Sequence, residues 1–230
     1  MSRSPRVSPH PAFKGVFWLQ DRKKRQLATL NLVPGFRSYD EVVAMVNGKE
    51  YRVWPPRRSK PAAAILNGLK NFPVKRGTKI LYLGIASGTT ASHFSDIIGR
   101  EGVIYGIEIA QRVLRELLPV AEARKNIVPI LASARRPEEY SSLVEQVDLL
   151  YVDVAQPDQA EILLMNADLF LRRGGYAMIA VKASSIDVTL PPKRVYRMVE
   201  EKLSKGGLKV LERVDLAPYD PKHAMIVARK

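Results

Sequence analysis

Residues 79–90 read KILYLGIASGTT: an apolar run, a glycine-rich turn, then two threonines that open a helical stretch. The pattern repeats downstream. The runs GVIYGIEI (102–109), IVPILAS (127–133), VDLLYVDV (147–154) and GGYAMIAVK (174–182) are strand candidates, and helix-like stretches begin near Thr89, Gln111, Pro137 and Pro157. These strands are continuously apolar rather than alternating, as expected when helices cover both faces of a parallel sheet.

Further along, a helix is predicted over Pro192 to Lys205, then the strands LKVLERVDL and HAMIVARK. The six residues APYDPK that join those strands are too few for a helical crossover, so the pair is antiparallel. The result is a Rossmann-like α/β fold, a mostly parallel seven-stranded sheet with an antiparallel last strand, which is the architecture of class I methyltransferases.

Upstream of residue 79 the text changes. After Pro61 the segment AAAILNGLKNF has helical spacing. Before it lie GVFWLQ, RQLATLNLV, VVAMV and EYRVW, the last two flanking Asn47-Gly48, a hairpin signal because both central residues of a type I′ turn need positive φ. Residues 15–56 therefore read as a small β subdomain closed by Pro55-Pro56, and 57–230 as the α/β domain. Residues 1–14, with Pro5, Pro9 and Pro11 among Ser and Arg, read as a disordered basic arm.

Composition limits the function classes. The 230 residues carry 37 Lys+Arg against 23 Asp+Glu, a formal +14, with 46% hydrophobic residues and no Cys. A full core is available, a Cys-ligated zinc site and a disulfide scaffold are excluded, and a reducing interior is consistent. No apolar run reaches the roughly 20 residues of a membrane span, and MSRSPRVSPHPAFK has no apolar stretch behind its charges, so it does not read as a secretory signal. Up to Lys60 there are 13 basic residues, among them Arg22, Lys23, Lys24 and Arg25, against 4 acidic ones. Such clustering is the footprint of a nucleic-acid binder, although a solvated basic face would look the same.

The turn after the first parallel strand suits a nucleotide-like ligand, since backbone N–H groups approach it closely there. It does not satisfy G-x-G-x-x-G: Ala86 stands at the second glycine position and Thr89 at the third. No Gly-Lys-Ser/Thr follows, so the Walker pattern is absent too. Glu108 lies 20 residues after Gly88 at the end of the next strand, where a carboxylate holds ribose hydroxyls. That spacing serves NAD and S-adenosylmethionine equally, and a ligand-free tight turn is the bland alternative.

Three charged or polar residues resist a purely structural reading. Asp153 and Lys182 end apolar strands, and His223 starts the antiparallel one, which brings all three to the ligand-binding edge of the sheet. A charge in a dry sheet costs several kcal/mol unless paired, so Asp153 and Lys182 face each other or a polar cleft. A structural ion pair, or for His223 an ordinary strand-start histidine, would give the same pattern. Arg57, Arg58 and Lys60 precede a predicted helix, where cations are unfavourable by about 0.3–1 kcal/mol each; an anion received there would explain them, and so would a solvated turn.

At these residues the sequence resembles the fibrillarin family, more closely its archaeal form, the methyltransferase subunit of box C/D ribonucleoprotein particles. The likeness runs from about Gly15 to the end, through NLVPG, YRVWPPRRSKPAAAIL, LYLGIASGTTASHFSDIIG, VIYGIE, YVDVAQPDQ and VKASSID. The resemblance implies methyl transfer from S-adenosylmethionine to the ribose 2′-oxygen of rRNA, and possibly tRNA, chosen by a guide RNA. It places the family's Lys-Asp-Lys-His set on Lys60, Asp153, Lys182 and His223. Gly84, Ala86, Ser87, Gly88, Thr89, Thr90 and Glu108 would hold the cofactor, with Gln156 and Asp153 as further contacts. Where the family has Asp-Ala after the third strand, this chain has Ser133-Ala134, which keeps a backbone contact to adenine at Ala134 and puts the side-chain contact of Ser133 in doubt. Arg57, Arg58 and Lys60 would meet RNA. The implied partners are guide and target RNA, a Nop-family scaffold protein and a kink-turn RNA-binding protein, with no membrane involved. The glycine- and arginine-rich region of eukaryotic members is missing, so a cytoplasmic location is expected.

In this reading Lys182 lies nearest the 2′-hydroxyl, as base or as the group that holds the oxygen, Asp153 orients it, and His223 orients the target ribose or phosphate. Phe17, Trp18 and Trp54 form either a docking surface or the β subdomain's own core, the latter favoured for Trp54. The rivals are a non-catalytic RNA-particle scaffold with the same fold, a dehydrogenase, and a small-molecule methyltransferase.

Overall fold

A computed structural model describes residues 5–21 and 24–230. Five short strands form an antiparallel sheet: β1 (Arg6–Pro9), β2 (Val16–Asp21), β3 (Lys24–Leu30), β4 (Val43–Val46) and β5 (Lys49–Val53), in the spatial order β1-β2-β3-β5-β4. Asn47 and Gly48 have φ of 50° and 73°, the two positive values that fold β4 directly back on β5. The disordered arm expected over residues 1–14 is corrected: Arg6–Pro9 pairs with Phe17–Gln20, and Phe13 is buried. The prolines do not prevent this because β1 is an edge strand, where a missing N–H costs no ladder bond. Residues 1–4 and the basic pair Arg22-Lys23 lie outside the described residues.

The second sheet comprises β6 (Lys79–Leu83), β7 (Val103–Glu108), β8 (Ile127–Leu131), β9 (Val147–Val152), β10 (Leu171–Lys182), β11 (Lys209–Asp215) and β12 (His223–Arg229), ordered β11-β12-β10-β9-β6-β7-β8. All its pairings are parallel except those of β12, which runs antiparallel to both β10 and β11. The helices are α1 (Lys60–Leu66), α2 (Thr89–Ile98), α3 (Gln111–Arg124), α4 (Gln159–Phe170), α5 (Ala183–Ile186) and α6 (Pro192–Lys205). Two expected helices are shorter than read: Pro137 opens only a 3₁₀ turn, and α1 stops at Leu66 because Gly68 takes φ 92°.

Continuous apolar strands are needed because successive residues feed opposite cores. Ile80 and Tyr82 pack on the α2 side with Phe94, whereas Leu81 and Leu83 pack on the α4 side with Leu163. Each such leucine taken out of water contributes about 2 kcal/mol. The first of these cores also takes Phe13, Val16, Leu27 and Trp54, so the small sheet and the α/β layer share one interior. Trp54 is fully buried, and its indole N–H donates to Ser59 Oγ at 2.8 Å, which makes it core and not a docking residue. Phe17 packs edge-on against Tyr51, and Trp18 lies under the Arg25 guanidinium.

The same junction holds a buried ionic cluster that has no local signal in the sequence. Arg52 donates to Glu41 (2.7 Å), Asp96 (2.7 Å) and Ser92, and Arg124 donates to the other oxygen of Asp96 (2.6 Å) and to Ser38 and Ser95. The side chains of Arg52, Glu41, Asp96 and Arg124 are wholly buried. Burying each charge costs several kcal/mol, and only a full set of partners offsets that. His93 completes the cluster. Thr29 Oγ1 gives its proton to Asp96, so it accepts from His93 Nδ1 (2.8 Å), and His93 Nε2 accepts from the Tyr39 hydroxyl (2.6 Å). Burial, reinforced by Arg52 and Arg124, keeps this imidazole neutral well below its ordinary pKa.

Candidate active site

The sheet order turns back on itself between β6 and β9, and the chain leaves both strands at the same edge. Asp153 N–H donates to Leu83 O at 3.0 Å, drawing the two strand ends together. Gly84 sits at that junction with φ 77°, where a Cβ would lie 2.6 Å from the Asp153 carbonyl oxygen. Only glycine fits both the space and the backbone angle. Gly88 caps α2 with φ 88°, and its missing Cβ leaves room for Leu117 of α3. Ala86 also has positive φ, 53°, a strained value for a residue with a side chain, and it is held by its N–H to Glu108 Oε2 at 3.1 Å. The other oxygen of Glu108 accepts from Ala110 N–H.

Two adjoining clefts open here. One, about 370 Å³, is lined by Arg58, Lys60, Tyr82, Ser87, Thr89, Thr90, Lys182 and His223. The other, about 250 Å³, is lined by Glu108, Ile109, Ser133, Ala134, Arg135 and Gln156. Gly84, Ala86 and Asp153 border both, so Asp153 stands at the seam. A cleft of about 390 Å³ on the opposite edge, between Phe72, Lys75 and Tyr176, is slightly larger, but it lies at the starts of the parallel strands, away from the switch in strand order.

The four residues singled out by sequence thus share one cleft, with a pairing different from that expected. Lys60, in the first turn of α1, places Nζ 2.8 and 3.0 Å from the two oxygens of Asp153. Among the described residues, Lys182 has no carboxylate oxygen within 4.0 Å, so it is Lys60 and not Lys182 that balances Asp153. Lys182 and His223 are direct cross-strand partners on β10 and β12 and share a face. His223 Nδ1 lies 2.8 Å from Asp220 Oδ1.

The basic run before α1 does not act as one anion site either. Arg58 pairs with Asp40 and covers the Tyr39 ring, with the guanidinium 4.8 Å from its centroid, while Arg57 is exposed. Thr90 turns inward to Ser59 (2.9 Å), and Ser133 Oγ accepts its own turn's Arg135 N–H (3.3 Å). The Ala134 carbonyl is taken by Asn166.

Two features escaped the sequence reading. Arg135 bridges Gln156 (2.9 Å) and Asp158 (2.6 and 2.7 Å) along the rim of the smaller cleft, holding the Asp158 carboxyl below its usual range through the hydrogen bond it donates. Its position directly after Ser133-Ala134 at the ligand edge was the available signal. Tyr82 and Tyr151, in register on β6 and β9, meet edge to face at 4.6 Å beneath Asp153. Burial, then the charge of Asp153, pushes both hydroxyls up.

The strand order with its single antiparallel strand, and a glycine cradle at the switch point, define a class I S-adenosylmethionine-dependent methyltransferase fold. The fibrillarin family model matches residues 7–230, and the chain belongs to that family. It is 58% identical over 219 residues to the "Fibrillarin-like rRNA/tRNA 2'-O-methyltransferase" of Pyrococcus horikoshii, covering 95% of this chain and 96% of the relative. The structure of Aeropyrum pernix fibrillarin in complex with natively bound S-adenosyl-L-methionine superposes with a TM-score of 0.92 at 54% identity, over 99% of this chain and 100% of that one. A fibrillarin/Nop5p complex matches with a TM-score of 0.84 at 40% identity, over 94% of this chain and 98% of that one.

Proposed function

We propose that the chain is the catalytic subunit of a box C/D ribonucleoprotein and methylates the ribose 2′-oxygen of rRNA and tRNA from S-adenosylmethionine. The observation that carries this reading is the convergence of Lys60, Asp153, Lys182 and His223 on a cleft beside the Gly84 cradle. The residues fit the cofactor: the turn at Gly84 and Ala86 borders both clefts at the strand ends, Glu108 stands where ribose hydroxyls are held, and Ser133-Ala134 and Ile109 flank a partly apolar slot for adenine. When bound, S-adenosylmethionine supplies an electrophilic methyl group.

The chain's own residues position the acceptor. Gly84, Ala86, Ser87, Gly88, Thr89 and Thr90 form the turn that approaches the cofactor, and Gln156, steadied by Arg135, closes the rim. Lys60 fixes the Asp153 carboxylate at the seam between cofactor and acceptor, and Lys182 reaches the 2′-hydroxyl from β10. Arg57 and Arg58 lie on the approach to the cleft, where phosphates of the bound RNA are met.

In this reading the target is chosen by guide RNA held by a Nop-family scaffold and a kink-turn RNA-binding protein, in line with the likeness to the fibrillarin/Nop5p complex. Among the described residues no helix is long and apolar enough to cross a membrane, and the likeness to archaeal relatives supports a cytoplasmic particle. The test is guide-dependent methylation with labelled cofactor, reconstituted with and without the scaffold. Transfer confined to the guided nucleotide is expected. Cofactor binding without transfer in the complete particle would make the chain a non-catalytic scaffold.

A further inference from the structure

His223 carries more information than its place in the cleft. Its Nδ1 lies 2.8 Å from Asp220 Oδ1 and 3.1 Å from the Pro221 carbonyl oxygen. Both of those oxygens only accept, so Nδ1 bears the hydrogen whether the ring is neutral or charged. In the neutral ring Nε2 is therefore bare. The loop that supplies Asp220 is fixed at both ends: Leu216 N–H donates to His223 O at 3.0 Å, Asp220 N–H donates to Leu216 O at 2.9 Å, and Asn67 from beyond α1 holds the carbonyls of Asp215 and Ala217. The His223 side chain is only 13% exposed, and it borders the same cleft as Lys182 of β10, Lys60 of α1, Asp153 after β9 and Arg58.

We propose that Asp220 is a positioning residue that holds neutral His223 in the Nδ1–H form, so that Nε2 accepts the 2′-hydroxyl proton of the target ribose. A bare ring nitrogen has no hydrogen to offer a phosphate oxygen, whereas it matches a hydroxyl donor; of the ribose and the phosphate, the geometry selects the ribose. The O–H bond breaks, its electron pair stays on the 2′-oxygen as nucleophile, and the proton rests on Nε2. The positive charge then formed on the ring lies 2.8 Å from the Asp220 carboxylate, while Nδ1–H keeps its hydrogen bond to the Pro221 carbonyl. Lys182, directly across the strand pair, holds the oxygen, which separates its task from that of His223.

This inference rests on the methyl-transfer function proposed above, and its test has an arm that does not. The full chain has three histidines, so selective ¹⁵N labelling resolves the ring nitrogens of His223, assigned by their loss in His223→Gln. At a pH where the ring is neutral, the Nδ1–H form is expected in the native chain and a shift toward Nε2–H, favoured by free imidazole, in Asp220→Ala. In the reconstituted particle Asp220→Ala lowers the single-turnover rate by about 100-fold, Asp220→Asn, which keeps an accepting oxygen, recovers part of it, and cofactor affinity stays within a few fold in both. A native Nε2–H form, or a tautomer unmoved by Asp220→Ala, overturns the proposal whatever the activity. A native Nδ1–H form in a particle that transfers no methyl overturns the methyl-transfer reading and leaves the tautomer assignment standing.

Discussion

Lys60 and Asp153, 93 positions apart in the chain, meet with Nζ 2.8 and 3.0 Å from the two carboxylate oxygens. The pair joins the start of α1 to the end of β9, so the segment leaving the small sheet is fastened to the switch point of the large one. Its side chains are 24% and 21% exposed, which makes it a modest contributor to stability. We expect Lys60→Ala to cost about 1 kcal/mol in denaturant unfolding and to slow methyl transfer about 100-fold. A loss of stability with transfer unchanged would reduce Lys60 to a structural partner.

The cradle at Gly84 is tested by one methyl group. In Gly84→Ala the new Cβ meets the Asp153 carbonyl oxygen at 2.6 Å on a backbone with φ 77°. Gly68, with φ 92° and open space around it, is the matched control, since alanine there pays only the backbone penalty of about 1–2 kcal/mol. Calorimetric titration with S-adenosylmethionine is expected to show at least a tenfold loss of affinity for Gly84→Ala and native affinity for Gly68→Ala. Equal affinities would mean that the cofactor does not use this junction.

Asp96 is the hub of the buried cluster, accepting from Arg52, Arg124, Thr29 and the Leu32 N–H. Replacing it by Asn leaves two guanidinium groups buried without their shared counter-charge. We expect a loss of about 3–5 kcal/mol, seen as a melting temperature lower by roughly 6–20 °C for a chain of this size. A shift of only a degree or two would show that the arginines find other partners.

The α/β layer was legible because its signals are local. The parallel strands from Lys79 onward are largely continuous apolar runs, glycines mark the turns after β6 and before β7 and β11, and the seven residues between β11 and β12 leave no room for a crossover. From that topology Lys182 and His223 could be placed at the same edge of the sheet, though not as direct cross-strand partners. What stayed hidden depends on contacts between distant segments. Arg52, Glu41, Asp96 and Arg124 look like ordinary surface charges in the sequence, and nothing local says that the face of α2 carrying Ser92 and Asp96 is covered by the small sheet. Likewise no spacing tells which lysine reaches Asp153, because α1 enters the cleft from outside the regular alternation. The proline-rich start reads as disordered on composition, yet an edge strand tolerates those residues.

The buried imidazole of His93 ties stability to pH. Burial first, then Arg52 and Arg124, holds its folded pKa well below the ordinary 6.5. Between those two values the unfolded chain binds a proton that the folded chain refuses, so stability falls as pH drops below about 6.5, by up to about 1.4 kcal/mol per pH unit. Other groups titrate in the same range, and the difference between native protein and His93→Gln isolates this one. The native chain is expected to lose more unfolding free energy between pH 7.5 and pH 5.5 than the variant, by about 1 kcal/mol or more. Parallel curves would mean that His93 is already charged in the fold.

Arg57 is exposed beside the cleft, and among the described residues no carboxylate lies within 4.0 Å of it, whereas its neighbour Arg58 is engaged by Asp40. Its guanidinium is therefore free to displace a counterion from a phosphate. In filter binding of the assembled particle across a range of salt concentrations, Arg57→Ala should flatten the slope of log K against log salt by about 0.7–0.9. The loss should be the same for target RNAs of different sequence, because phosphate contacts carry no base identity. Arg76, at the opposite edge and paired with Glu101, supplies the control, and Arg76→Ala should leave the slope as it was. An Arg57→Ala effect confined to one RNA sequence with the slope unchanged would make Arg57 a reader of a base edge.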